Sequence, residues 1–165
     1  TTVMANIGFH KAIKENGGRT EIPAVGDRYV LENMLANGYN LGGEQSGHII
    51  FTDFSTTGDG PVTALQVLSY LKRTRHKASA ITKIMTSYPQ LLVNVKVATK
   101  DGWEDNEAIK ASIEEGKQQL GENGRILVRP SGTEPLIRVM AEGPDQKELE
   151  EICYKIADVV KAQQG

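Results

Sequence analysis

The sequence carries a single cysteine, Cys153, among its 165 residues. It therefore contains neither a disulfide framework nor a thiolate metal cluster, and a reducing cytoplasm is the compartment that fits. No apolar run approaches the roughly 20 residues of a membrane span. The opening Thr1-Thr2-Val3-Met4 lacks the basic leader and hydrophobic stretch of a secretory signal, so a soluble protein without a membrane partner is expected. Positive charge is not in excess either. Nineteen Lys and Arg face 21 Asp and Glu, for a formal charge of −2. Binding to nucleic acid by general phosphate neutralisation is thereby excluded, while acidic small molecules stay within reach of local arginines. Internal repeats and low-complexity tracts are absent as well. So is an initiating methionine, and the strand-like opening segment is what a piece of a longer polypeptide would show.

What is present is a chain 39% hydrophobic, enough for packed cores, with helix and strand signals in alternation. Apolar spacing predicts a helix over residues 7–15, ended by Gly17-Gly18. An extended segment follows at 20–22, then a second helix over 28–36 with Val30, Leu31, Met34 and Leu35 inward. A strand follows at Ile49-Ile50-Phe51. Asp59-Gly60-Pro61 reads as an N-cap with proline in the first turn of a third helix, which bears Val62, Leu65, Leu68 and Leu71 and ends on Lys72, Arg73 and Arg75. This alternation predicts an α/β fold, here a partial α/β/α layered domain with a mostly parallel sheet, over residues 1–77.

The polar stretch 75–79 breaks the periodicity, and the boundary or hinge is placed there. Residues 78–165 read as a smaller α+β domain with an antiparallel-type sheet backed by helices. It holds a short helix with Ile81, Ile84 and Met85, then a strand alternating Val93, Val95 and Val97 with Asn94 and Lys96. A helix over 105–120 and two strands come next. The final helix carries the capping box Asp145 and Glu148 and the stripe Leu149, Ile152, Cys153, Ile156, Val159 and Val160. His10 and His76 read as solvated surface residues, and Trp103 as a packing cap.

Between the last two strands lies Arg129-Pro130-Ser131-Gly132-Thr133-Glu134-Pro135. A guanidinium fork offers two parallel charge-assisted hydrogen bonds to phosphate oxygens, and two hydroxyls and the amides around Gly132 offer more. The prolines stiffen the loop, so less entropy is lost on binding. Arg138 is a second cation in the following strand. The same run is also ordinary turn chemistry, so composition alone leaves both readings standing. A second glycine-spaced loop, Gly42-Gly43-Glu44-Gln45-Ser46-Gly47-His48, leads into an apolar strand and suggests the other half of one site. If extended, it points Glu44, Ser46 and His48 to one side. A carboxylate and a hydroxyl suit sugar hydroxyls, and His48 can also move a proton near neutral pH, which makes it the candidate catalytic residue. A solvent-facing strand edge would carry the same residues.

Together, Gly-Glu-Gln-Ser-Gly-His at 43–48 and Arg-Pro-Ser-Gly-Thr-Glu-Pro at 129–135 resemble the sugar-binding and phosphate-binding loops of the α-D-phosphohexomutases. The surrounding runs Val25 to Val30, Gly42 to Phe51 and Asp59 to Val62 resemble the bacterial amino-sugar branch of that family. The resemblance covers essentially the whole chain, as the end of the third domain and all of the fourth. It implies that Arg129, Ser131, Gly132 and Thr133, with Arg138, hold the non-reacting phosphate, that Glu44, Ser46 and His48 meet the sugar, and that Asp27 and Arg28 contact it more weakly. It also implies an isomerase that moves a phosphoryl group between two positions of a hexose through a bisphosphorylated intermediate, using a phosphoserine and Mg²⁺. Neither the phosphoserine loop nor the Asp-rich Mg²⁺ loop occurs in these residues. No metal ligand or cofactor is therefore assigned here, and the chain alone is expected to be inactive. The implied partners are a phosphosugar and upstream domains of the same polypeptide, and the resemblance allows a homo-oligomeric parent. Other hexose-phosphate mutases of the family, and a non-catalytic phosphosugar-binding module, are the alternative readings.

Overall fold

The computed structural model describes residues 1–165, which form two compact units, Thr1–Ser87 and Tyr88–Gly165. The division thus falls after Ser87, and not at the expected 77/78. The reason lies within the first unit. A Cβ added to Gly8 would collide with the Thr86 carbonyl oxygen, so Thr86 lies directly against the helix that contains Gly8.

In the first unit α1 (Ile7–Glu15) is capped by Asn6, whose side chain accepts the Gly8 N–H at 3.0 Å. Helix α2 (Asp27–Asn37) starts behind Gly26, at φ 131°, and stops at the left-handed Gly38. Strands β1 (Leu41–Gly43) and β2 (Ile49–Phe51) follow, then α3 (Gly60–Thr74) and the four-residue α4 (Ala78–Ile81). Asp59 caps α3 as expected, accepting the Val62 N–H at 2.9 Å. The unit's core is Val30 and Met34 from α2 against Ile50, with Leu31 and Tyr39 beside them. Gly42 permits this packing, because a Cβ there would strike the Met34 sulfur and come within 2.9 Å of Val30 Cγ1.

The expected mostly parallel sheet is not what forms. β1 and β2 pair antiparallel, with Leu41 opposite Phe51 and Gly43 opposite Ile49. Residues 44–48 are the only link between them, and a parallel pair needs a crossover of about a dozen residues or more. Residues 20–22 lie outside any strand. Two further expectations fail for want of cover. Leu35 is 61% exposed, and Leu65 and Leu68 on α3 are similarly open, because a two-stranded sheet is too small to bury more than one helical stripe.

The second unit follows its sequence reading closely. Strands β3 (Gln90–Lys96), β4 (Arg125–Pro130) and β5 (Leu136–Glu142) form one antiparallel sheet in the order β3-β5-β4. Helices α5 (Glu107–Leu120) and α6 (Gln146–Gln164) cover one face of it. Asn106 and Asp145 cap these helices through their side chains. Ile137, Val139 and Ala141 of β5 are fully buried against Leu149, Cys153, Ile156 and Val160 of α6. Trp103 packs at the margin of this core. The period of two along β5 then sends Arg138, Met140 and Glu142 to the opposite face.

Candidate functional site

That opposite face carries the cations. Arg138 on β5 stands in register with Arg129 on β4 on one side and with Asn94 on β3 on the other, so the three side chains share one row across the sheet. Burial lowers the pKa of the Arg129 guanidinium from its ordinary value, and the charge of Arg138 lowers it further. Like charges directly opposite on neighbouring strands are destabilising. Glu134 Oε2 lies 3.4 Å from Arg138 Nη2. Arg138 Nε is buried and meets no acceptor.

Between these strands residues 131–135 form a closed loop. The Ser131 N–H donates to the Leu136 carbonyl at 2.8 Å, the Leu136 N–H to the Glu134 carbonyl at 2.8 Å, and the Val97 N–H to the Pro135 carbonyl at 3.1 Å. Ser131 is the hub, only 2% exposed. Its Oγ accepts the Glu134 N–H at 3.3 Å and lies 3.4 Å from Arg138 Nη2. Its carbonyl accepts from Lys100 Nζ at 2.7 Å. Gly132 and Thr133 form the exposed crest. Four donors or cations thus surround one loop: Lys100, Arg129, Arg138 and the crest amides. Lys100 and Asn94 were missed by sequence reasoning. Asn94 was visible as the polar member of the β3 alternation, but no local signal marks Lys100, which reaches the loop from 31 positions away.

The first unit's loop is a tight turn, not the extended comb. The Glu44 N–H donates to the His48 carbonyl at 2.9 Å and the Gly47 N–H to the Glu44 carbonyl at 3.1 Å, with Gly47 at φ 100°. The turn separates what alternation would have aligned. Ser46 Oγ lies 3.3 Å from His48 Nδ1, whereas Glu44 Oε1 accepts the Gly26 N–H at 3.1 Å. That bond ties Glu44 to the Gly26-Asp27-Arg28 segment, so Glu44 is linked through the Gly26 amide to the stretch that carries Asp27 and Arg28. Arg28 itself is turned along α2, its Nε 2.8 Å from Glu32 and its pKa raised by that hydrogen bond. Asp27 Oδ1 accepts the Arg28 N–H at 2.9 Å. Gly58, which sequence reasoning also missed, lies against His48, with 3.1 Å between a hypothetical Cβ and His48 Cβ. An apolar hollow of about 710 Å³ opens beside this loop, lined among others by Phe9, Val30, Met34 and Tyr39. His10, expected on the surface, is half-buried and bonds through Nδ1 to Thr20 Oγ1 at 2.8 Å. No three His, Cys, Asp or Glu side chains come together to hold a metal ion.

With strand, row and loop defined, comparison with known proteins assigns the class. Residues 1–88 match the family model for phosphoglucomutase/phosphomannomutase alpha/beta/alpha domain III, and residues 92–159 the C-terminal domain of the same family. The chain belongs to the phosphoglucomutase/phosphomannomutase family. Among its relatives, the phosphoglucosamine mutase of Brevibacillus brevis is 56% identical over 99% of the chain, and that of Streptococcus gordonii 53% identical over 100%. The chain spans only 36% and 37% of those two proteins. Its fold is shared with N-acetylphosphoglucosamine mutase of Aspergillus fumigatus, at TM-score 0.83, 20% identity and 99% coverage of this chain against 38% of the other. A second structure of that enzyme, in complex with GlcNAc-6P and magnesium, gives TM-score 0.79 at 19% identity, with 100% and 38% coverage.

Proposed function

We propose that the chain is the substrate-binding C-terminal part of a phosphoglucosamine mutase, the isomerase that interconverts glucosamine 6-phosphate and glucosamine 1-phosphate in amino-sugar and cell-wall precursor synthesis. The observation that carries this is the buried Arg138 Nε–H, which has no acceptor, on a strand that holds Arg138 in register with Arg129 beside the 131–135 loop. A fold tolerates an unmet charged donor where a ligand anion supplies the acceptor. A phosphate dianion on this row would take the guanidinium forks of Arg129 and Arg138, the Gly132 amide and the Thr133 hydroxyl. Ser131 organises the loop from within while its hydroxyl proton is still available to donate.

In the first unit, Ser46, His48 and Glu44 serve the sugar. Glu44 also fixes the Asp27–Arg28 segment, and His48 is the group able to take or give a proton at a hydroxyl or amine. Phosphoryl transfer depends on positioning and on neutralising charge, and this chain contributes the grip on the group that does not react. The residues present do not fit a magnesium site. The metal's ligands and the phosphorylated nucleophile belong, on this reading, to other domains of the parent, which with the phosphosugar are the chain's partners.

The test is an assay of the complete parent enzyme with glucosamine, glucose and mannose 6-phosphates. Preference for the amino sugar supports the proposal. Preference for glucose or mannose would move the protein to another activity of the same family.

A further inference from the structure

Beyond the cations of the motif, Lys100 approaches the phosphate loop from the segment after β3 and ends on a backbone atom. Its ammonium donates to the Ser131 carbonyl at 2.7 Å from a half-buried position. We propose that Lys100 is a positioning residue of the phosphate site, which aims the Gly132 amide at the anion and strengthens it as a donor. The proposal rests on the reading of residues 129–138 as that site.

The argument is geometric first. A trans peptide plane holds its C=O and N–H in opposite directions. Fixing the Ser131 carbonyl on Lys100 therefore turns the Gly132 N–H away from Lys100, on a crest that is exposed. Gly132 has no side chain, so its peptide would otherwise be among the freest in the loop. The loop's other anchors run from Ser131 to Leu136, Leu136 to Glu134, Glu134 to Ser131 Oγ and to Arg138, and Pro135 to Val97, and none of them engages the Ser131 carbonyl. Only Lys100 holds the carbonyl of the crest peptide.

Electrostatics act in the same direction. A cation bonded to a carbonyl polarises the peptide, and polarised chains of hydrogen bonds strengthen one another. Lys100 also brings a third positive charge to a loop already flanked by Arg129 and Arg138. Its effect on an anion passes through the Gly132 amide and through the local potential.

The experiment titrates inorganic phosphate into the 165-residue chain and into Lys100→Met and Lys100→Arg variants, following the backbone amide of Gly132 by NMR. Thermal unfolding of each protein is recorded in parallel. In the unaltered chain the Gly132 amide should move on titration. Lys100→Met should weaken phosphate binding by about tenfold and shift the unliganded Gly132 amide toward a weaker hydrogen-bonding position, with the unfolding midpoint little changed. Lys100→Arg should restore most of the affinity. Equal affinity in Lys100→Met and the unaltered chain would overturn the inference while leaving the phosphate site intact. Loss of binding in both variants with a lowered midpoint would assign Lys100 to fold stability and overturn it too. Absence of binding in the unaltered chain would remove the phosphate reading, and this inference with it.

Discussion

Arg129 and Arg138 stand opposite one another across β4 and β5, two guanidinium groups on one face of a three-stranded sheet. Burial and the Arg138 charge both disfavour the charged form of Arg129, and on the proposed reading a phosphate offsets them. If phosphate completes the row, Arg129→Met, which keeps the apolar stem, should remove one guanidinium contact to the anion. In the unaltered chain, saturating phosphate should raise the midpoint by roughly 5 °C or more, through preferential binding to the folded state. The variant should lose that increment. Differential scanning fluorimetry with and without phosphate measures both effects, and an unchanged phosphate response would argue against the site.

At the other end of the same strands, fully buried Glu142 is paired with Arg125 at 2.6 Å, the two residues also in register. Removing one partner of a buried pair leaves an uncompensated charge. Arg125→Ala should therefore destabilise the second unit by about 3 kcal/mol, read from the denaturant midpoint. A loss under about 0.5 kcal/mol, the scale of an exposed pair, would show that the pair contributes little.

Cys153 tests the core against α6. Burial pushes its thiol up from 9.0 to about 11, with a backbone hydrogen bond at Ala141 acting in the other direction. At pH 8 iodoacetamide should modify it far more slowly in the native protein than in the unfolded one. Because the folded pKa is the higher of the two, this contribution to stability is complete below pH 9 and declines as the pH rises toward 11. Rapid native alkylation would mean that α6 does not seal the site.

Glu44 links the turn at 44–48 to Gly26, at the start of α2. Glu44→Ala should free the Gly26 amide and speed its hydrogen exchange by about tenfold, on the scale of one net hydrogen bond. No change in that amide would show that the link does not hold the Asp27–Arg28 segment.

How much of this was legible in the sequence depends on the range of the signal. Asn6, Asp59, Asn106 and Asp145 each act on a neighbour within three residues, and Asp59 and Asp145 announce their helices in the sequence by spacing alone. The β4–loop–β5 unit was readable for the same reason, because Arg129 and Arg138 flank a short connection. Helix–strand alternation suggests a parallel sheet, while the shortness of the 44–48 link dictates the antiparallel pair that forms. The aligned comb of Glu44, Ser46 and His48 failed on one residue, Gly47, whose positive φ turns the chain. Lys100 was invisible because its partner is a backbone carbonyl, which leaves no complementary residue to find.

The central claim is most directly tested by Arg129→Ala in the complete parent enzyme, assayed from glucosamine 6-phosphate to glucosamine 1-phosphate. Loss of a charge-assisted phosphate contact should lower kcat/KM by at least about tenfold, on the scale of 1.5–3 kcal/mol, with the protein still folded. Unchanged kcat and KM would contradict the assignment of this loop as the grip on the phosphate.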